Sequence, residues 1–321
     1  MQRVVSHPRC WRAATIAAVR VEEKTFLSDG VACAARVYRP DPPPREGTPC
    51  VVMANGFSLT REDGLPEFAE RFAGIGVTAF AFDFRYLGAS SGEPRQLIDP
   101  DLQCADFRAA VSFARELEGV DRDAIAVWGF SGAGGHAIYV AAGDQQIAAA
   151  VVLCPMADLI AFMLRIPVRN LLRLAVDTFR NAGGRRRAQI PAVGPPGSYA
   201  LLTQPEALPG FEAICGNRSL WRNEFLPPSF LKAPYRPVRV ANRVRCPLLV
   251  CLGDRDHMAP RQAAERTVKR APHGERRAYP IDHFGGFLGG GFERVVSDQV
   301  EFLSRHLLVV RAPGLGPARG R

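Results

Sequence analysis

The stretch 124–136, Ala-Ile-Ala-Val-Trp-Gly-Phe-Ser-Gly-Ala-Gly-Gly-His, constrains this chain more than any other. Residues 125–128 are an apolar, partly β-branched run of the kind that buried strands use. Gly129-Phe130-Ser131-Gly132-Ala133 then turns, and the Ala/Ile/Tyr/Val segment beyond it continues as a helix. Small residues two before and two after the serine let strand and helix approach closely, which leaves the hydroxyl on a sharp turn without a bulky neighbour. The N–H of Gly132, at the start of the helix, then points at any oxyanion that develops there. Taken alone, the same residues also describe a glycine-rich strand-to-helix turn with a capping serine.

The rest of the chain supplies a setting for that turn. Two alternating runs, 21–27 and 31–38, flank Ser28-Asp29-Gly30 and predict an antiparallel hairpin. Buried strands follow at 50–54, 77–84 and 147–153, and again at 247–252 and 277–281. Helices are expected at 67–73, at 262–269 and after Asp99-Pro100, an N-cap with proline in the first turn. Leu102, Ala105, Ala109, Phe113 and Leu117 supply the apolar face of that last helix. Phe292, Val296, Val300, Leu303 and Leu307 supply the face of a closing one. Continuous apolar strands alternating with helices specify an α/β fold, a mainly parallel central sheet with helices on both faces.

The rhythm breaks at 156–245. There Val168, Leu171, Leu172, Ala175, Val176 and Phe179 form the apolar face of a helix, with Arg169, Arg173 and Arg180 opposite. A Gly/Arg/Pro-rich loop at 183–197 and proline-split segments follow, which reads as a helical cap inserted into the sheet domain. The expected organisation is an N-terminal extension at 1–20, a core of 21–155 and 246–308, a cap or lid at 156–245, and a disordered tail at 309–321.

Composition narrows the function. No stretch approaches the roughly 20 apolar residues that cross a bilayer. Residues 1–19 lack the apolar centre and cleavage site of an export signal, so the expected setting is the cytoplasm, with no membrane partner. The 8 cysteines form no Cys-x-x-Cys and have no histidine at metal-ligand spacing, which predicts buried thiols and no metal. A formal net charge of +9 comes from dispersed arginine without any nucleic-acid-binding signature, so no nucleic-acid partner is expected. No phosphate-binding loop or dinucleotide fingerprint implies a cofactor.

Catalytic groups of open α/β sheets collect outside the carboxyl ends of the strands. A serine there needs an imidazole to take its proton, and the imidazole needs a carboxylate to fix its tautomer. His283 follows a strand end and sits among glycines, in Asp282-His283-Phe284-Gly285-Gly286. His257 also follows a strand end and is its rival, whereas His136 lies in the helix after the serine and packs or caps there. Gly253-x-x-Asp256-x-x-x-Pro260 favours Asp256 as the acid, with Asp254 as a turn residue and Asp158 as a third candidate. Asn55-Gly56-Phe57 offers a second oxyanion donor, the N–H of Phe57.

In this order and spacing, the motifs resemble the α/β-hydrolase superfamily over roughly 21–307. Residues 83–92, Asp-Phe-Arg-Tyr-Leu-Gly-Ala-Ser-Ser-Gly, are similar to the loop after the fourth strand in many members. Ala133 stands where glycine is commoner, and Asn55 where a histidine often precedes the oxyanion glycine. The resemblance implies an α/β-hydrolase fold and a serine hydrolase that cleaves an ester or thioester. Ser131 would be the nucleophile, His283 the base and Asp256 its orienting acid. The N–H groups of Phe57 and Gly132 would form the oxyanion hole, and Phe130 and Phe284 would contact a small-molecule acyl substrate. An acyltransferase of the polyketide type on the same triad, or a non-catalytic binding protein on the same fold, are the alternatives. A homodimer is compatible with each.

Overall fold

The computed structural model describes residues 18–42, 47–182, 189–226 and 235–308. β1 (Ala18–Ser28) and β2 (Val31–Asp41) form the expected hairpin, with positive φ at Asp29 and Gly30 as a two-residue turn requires. β1 takes in 18–20, so those three residues are strand and not extension; 1–17 lie outside the described residues. Strand and helix then alternate: β3 (Thr48–Ala54), α1 (Leu65–Gly74), β4 (Thr78–Phe82), α2 (Pro100–Glu116), β5 (Val120–Phe130), α3 (Ser131–Gly143) and β6 (Ala149–Leu153). α4 (Leu159–Met163), α5 (Val168–Ala182) and α6 (Ala207–Ile214) occupy the segment before the sheet resumes. β7 (Leu248–Gly253), α7 (Arg261–Arg270), β8 (Gly274–Tyr279) and α8 (Gly289–Leu303) close the chain.

The 8-stranded sheet runs β1-β2-β4-β3-β5-β6-β7-β8. β2 pairs antiparallel with both β1 and β4, and every pairing from β4 to β8 is parallel. Every residue of β4 and β6 is buried, because a parallel sheet carries helices on both faces. That is why these strands read in the sequence as uninterrupted apolar runs. Among the described residues, no helix is long and apolar enough to cross a membrane.

Two helices depart from their expected faces. On α2 the buried residues are Gln103, Cys104, Asp106, Phe107, Ala110, Val111 and Ala114, while Leu102, Ala105, Ala109, Phe113 and Leu117 are only partly covered. The apolar pattern skipped this face because two of its members are polar. Asp106 accepts from the Arg85 backbone N–H at 3.0 Å and from Arg85 Nε at 2.7 Å. On α5, Val168, Leu172 and Val176 are 71%, 63% and 47% exposed, and the buried residues are Asn170 and Leu174. The helix is anchored through its polar side: Asn170 donates to Ser198 O at 3.1 Å and Arg169 to Gly197 O at 2.6 Å. The side chains of Phe179 and Arg180, residues 183–188 and the tail at 309–321 lie outside what is described.

Candidate active site

β5 ends at Phe130 and α3 begins at Ser131, so the chain changes from strand to helix within one peptide unit. Ser131 has φ 49°, a left-handed conformation that costs a non-glycine residue about 1–3 kcal/mol and persists only where the surroundings enforce it. Several contacts enforce it here. A methyl group on Gly129 would lie 2.2 Å from the Ala133 carbonyl oxygen, and one on Gly56 would lie 3.1 Å from Ser131 Cβ. The Ser131 carbonyl accepts from Met156 N–H at 2.8 Å. Ala133 takes the place of the commoner glycine with its side chain buried.

The loops after β7 and β8 bring the acid and the imidazole together. His283 Nδ1 and Asp256 Oδ2 are 2.7 Å apart, with side chains 1% and 5% exposed. The second oxygen of Asp256 accepts from the N–H groups of Met258 (2.8 Å) and Ala259 (2.9 Å). Burial alone would raise the Asp256 pKa. The charge and hydrogen bond of His283, with the two backbone donors, outweigh burial and hold the carboxyl below its ordinary range. Gly253 allows the approach, since a methyl there would meet Ile281 O at 2.7 Å and Asp256 Cβ at 3.3 Å. Phe130, next to Ser131, packs its ring 4.8 Å from the His283 ring. Among the described residues no hydrogen bond joins Ser131 Oγ to His283, a link that often tightens only when substrate binds.

The two backbone groups expected as oxyanion donors lie close together. A methyl on Gly132 would sit 3.5 Å from the Phe57 backbone nitrogen, so the two N–H groups border one small space at the N-terminus of α3. Asn55 organises this turn. Its Nδ2 donates to Thr60 O (2.8 Å) and Asp63 O (2.7 Å), and its Oδ1 accepts from Gly56 N–H (2.8 Å). Ser131, Gly56, Phe57 and Gly132 open onto one cavity, whose walls are otherwise mostly Ile98, Met156, Leu159, Phe162, Leu201 and Leu202.

A model of the alpha/beta hydrolase family matches residues 51–284. This chain belongs to that family. It is 36% identical over 285 residues to the quorum-quenching protein AidA of Acinetobacter baumannii (strain MDR-ZJ06), covering 87% of this chain and 93% of that protein. It is 30% identical over 309 residues to the thiohydrolase aneE of Aspergillus aculeatus, covering 88% and 94%. Among solved structures, DcsB in complex with its substrate analogue matches with a TM-score of 0.75 at 25% identity, over 90% of this chain and 99% of that one.

Within this alpha/beta hydrolase the rival residues are engaged elsewhere. Asp254 pairs with Arg261 at 2.9 Å, and His257, 70% exposed, lies 3.3 Å from Glu206. Asp158 caps α4 through the N–H groups of Ile160 and Ala161 and pairs with Arg236 at 2.7 Å. Phe130 and Phe284, expected on the substrate side, are 1% exposed and do not line the cavity. Their rings pack on each other (5.8 Å) and on His283 (5.1 Å from Phe284), which places them behind the imidazole.

One wall of the cavity is polar. His136 lies between Tyr235 (OH to Nδ1, 2.6 Å) and Gln103 (Oε1 to Nε2, 3.0 Å), and all three line the cavity. Burial drives the His136 pKa down to about 3, so the ring is neutral. The sequence places His136 as a packing or capping residue, and in the structure it packs between Gln103 and Tyr235. Nothing in the sequence marks Gln103 or Tyr235, one a polar residue amid a helix pattern and the other in a proline-rich stretch. Of the thiols, Cys154 sits with Asp256 and His283, their ligand-type atoms all within 4.8 Å of one another. Burial and the Asp256 charge push its pKa well above 9, so the sulfur keeps its proton and faces the carboxylate as a donor. A metal there would need that proton removed and would compete with His283 for Asp256.

Proposed function

We propose that this chain is a serine hydrolase that cleaves a carboxylic ester or thioester through an acyl-enzyme. The observation that carries the reading is the strained Ser131 on the cavity wall, with the buried His283–Asp256 pair held against the neighbouring Phe130. Ser131 Oγ attacks the acyl carbon while His283 takes its proton. Asp256 holds the ring with Nδ1–H toward the carboxylate and stabilises the imidazolium. The Gly132 and Phe57 N–H groups receive the developing oxyanion, a contribution of about 10²–10³ in rate per donor. The leaving alcohol or thiol departs with the proton from His283. Water then enters, gives its proton to the same nitrogen and releases the acid.

The cavity's aliphatic walls suit an apolar acyl group, and residues 156–245 supply part of them as a cap. Similarity to a thiohydrolase supports a thioester among the substrates. The test is a panel of aryl esters and thioesters with acyl chains of increasing length. Wild type turns over part of the panel and Ser131→Ala loses about 10⁴-fold or more. Turnover retained by Ser131→Ala would contradict the mechanism.

A further inference from the structure

Apart from the Asn55–Ser131 turn, the polar groups on the wall of the cavity beside Ser131 are gathered in one place, and that place is built. Gln103 is 5% exposed and His136 3% exposed, yet both line the cavity together with Tyr235. The hydrogens of the trio are assigned by chemistry. Gln103 Oε1 can only accept, so His136 Nε2 carries the ring's proton and donates it; Nδ1 then accepts from the Tyr235 hydroxyl. Burial, with nearby negative partners, holds Tyr235 well above its ordinary pKa, so that hydroxyl keeps its proton. This order leaves one group over. The amide nitrogen of Gln103 has no hydrogen bond among the described residues, and it is not a sealed atom: the side chain lines the cavity, so this donor is open to whatever fills it. A donor on the wall of a largely apolar cavity, held by the contact of its own amide oxygen with His136, is placed to recognise an acceptor on a bound substrate.

We propose that Gln103, oriented by His136 and Tyr235, binds a hydrogen-bond acceptor carried on the acyl chain, and that the preferred substrate is an oxygenated acyl group. This inference rests on the ester or thioester hydrolase reading and names its substrate class. His136 follows Ser131 by five residues on α3, about 7–8 Å along the helix axis. The acceptor therefore belongs several bonds from the scissile carbonyl, where a ketone oxygen accepts from the amide without needing to donate. An all-methylene chain would desolvate the amide and leave it unpaired, and sites built to hydrogen-bond a substrate group discriminate strongly against analogues that lack it.

The experiment uses a pair of acyl thioesters matched in length, one plain and one with a mid-chain ketone. Hydrolysis is followed in wild type and in Gln103→Met, and calorimetric binding of both compounds is followed in Ser131→Ala and Ser131→Ala/Gln103→Met. The expected result is a kcat/KM preference for the keto chain of about tenfold or more, matched by tighter binding to Ser131→Ala and abolished by Gln103→Met. Gln103→Glu, which retains an acceptor for His136 but loses the amide donor, should lose the same preference and guards against a packing artefact of the methionine. Equal binding of the two chains to Ser131→Ala, or a preference that survives both Gln103 variants, would overturn the proposal. A binding preference without any hydrolysis would count against the hydrolase reading and support this one.

Discussion

His283 and His136 are equally buried, and each is tied to a hydrogen-bonding partner, yet the two sites are built for opposite chemistry. His283 faces the Asp256 carboxylate, which can balance a positive ring at the moment a proton arrives. His136 is fully buried, with the Arg108 charge nearby, and it faces a neutral amide, a neutral phenol and the protonated Cys104 thiol (3.4 Å from Nδ1), so the charged form has no counter-ion and its pKa falls to about 3. On the proposed mechanism the first ring accepts a proton during reaction, while the second stays a neutral spacer beside Gln103.

The sharpest way to break this contrast is to remove the reacting groups. Ser131→Ala and His283→Gln should each lower kcat by about 10⁴–10⁶, with far less effect on substrate binding measured by calorimetry. Asp256→Asn should cost about 10⁴ in kcat, because an amide can neither fix the tautomer nor balance the imidazolium. Its steady-state kinetics against those of His283→Gln would show whether the two act as a unit.

At the other histidine the expected effect falls on stability. The ordinary imidazole value is 6.5 and the folded value about 3, so the unfolded chain takes up a proton that the folded one refuses. The stability present above pH 6.5 is therefore lost as pH falls toward 3, by about 1.4 kcal/mol per pH unit. Urea unfolding of wild type at pH 6.5 and pH 5.0, beside His136→Gln, should show about 2 kcal/mol of extra loss in wild type. The same loss in His136→Gln would remove His136 as its source. The smallest effect belongs to Gly132→Ala. The added methyl would make only an ordinary 3.5 Å contact with the Phe57 nitrogen, so the melting temperature should hold and kcat should drop less than tenfold.

Much of this was legible in the sequence, for identifiable reasons. The parallel strands announced themselves because both of their faces are buried. The turn at Ser131 showed because Gly129 has no room for a methyl group and Ala133, two residues past the serine, is small. The spacing Gly253-x-x-Asp256-x-x-x-Pro260 favours Asp256 over Asp254, and Asp256 is the one that lies against His283. What did not show were the places where burial and polarity coincide. Gln103 and Asp106 hid the true face of α2, since a period of apolar residues cannot register a buried amide or carboxylate. The apolar stripe on α5 misled in the opposite sense, because Asn170 anchors the helix and Val168, Leu172 and Val176 face solvent. Phe130 and Phe284 read as substrate contacts because the sequence gives proximity to the site but not the side of the imidazole on which a ring packs.

The measurement that tests the contrast most directly is the rate of covalent labelling by a fluorophosphonate probe, with the modified residue mapped by mass spectrometry. Wild type should be labelled at Ser131. His283→Gln should slow the reaction at least about 100-fold, and His136→Gln by no more than about tenfold. Labelling that survives in His283→Gln but fails in His136→Gln, or a folded wild type that stays unlabelled, would contradict the assignment of the two rings.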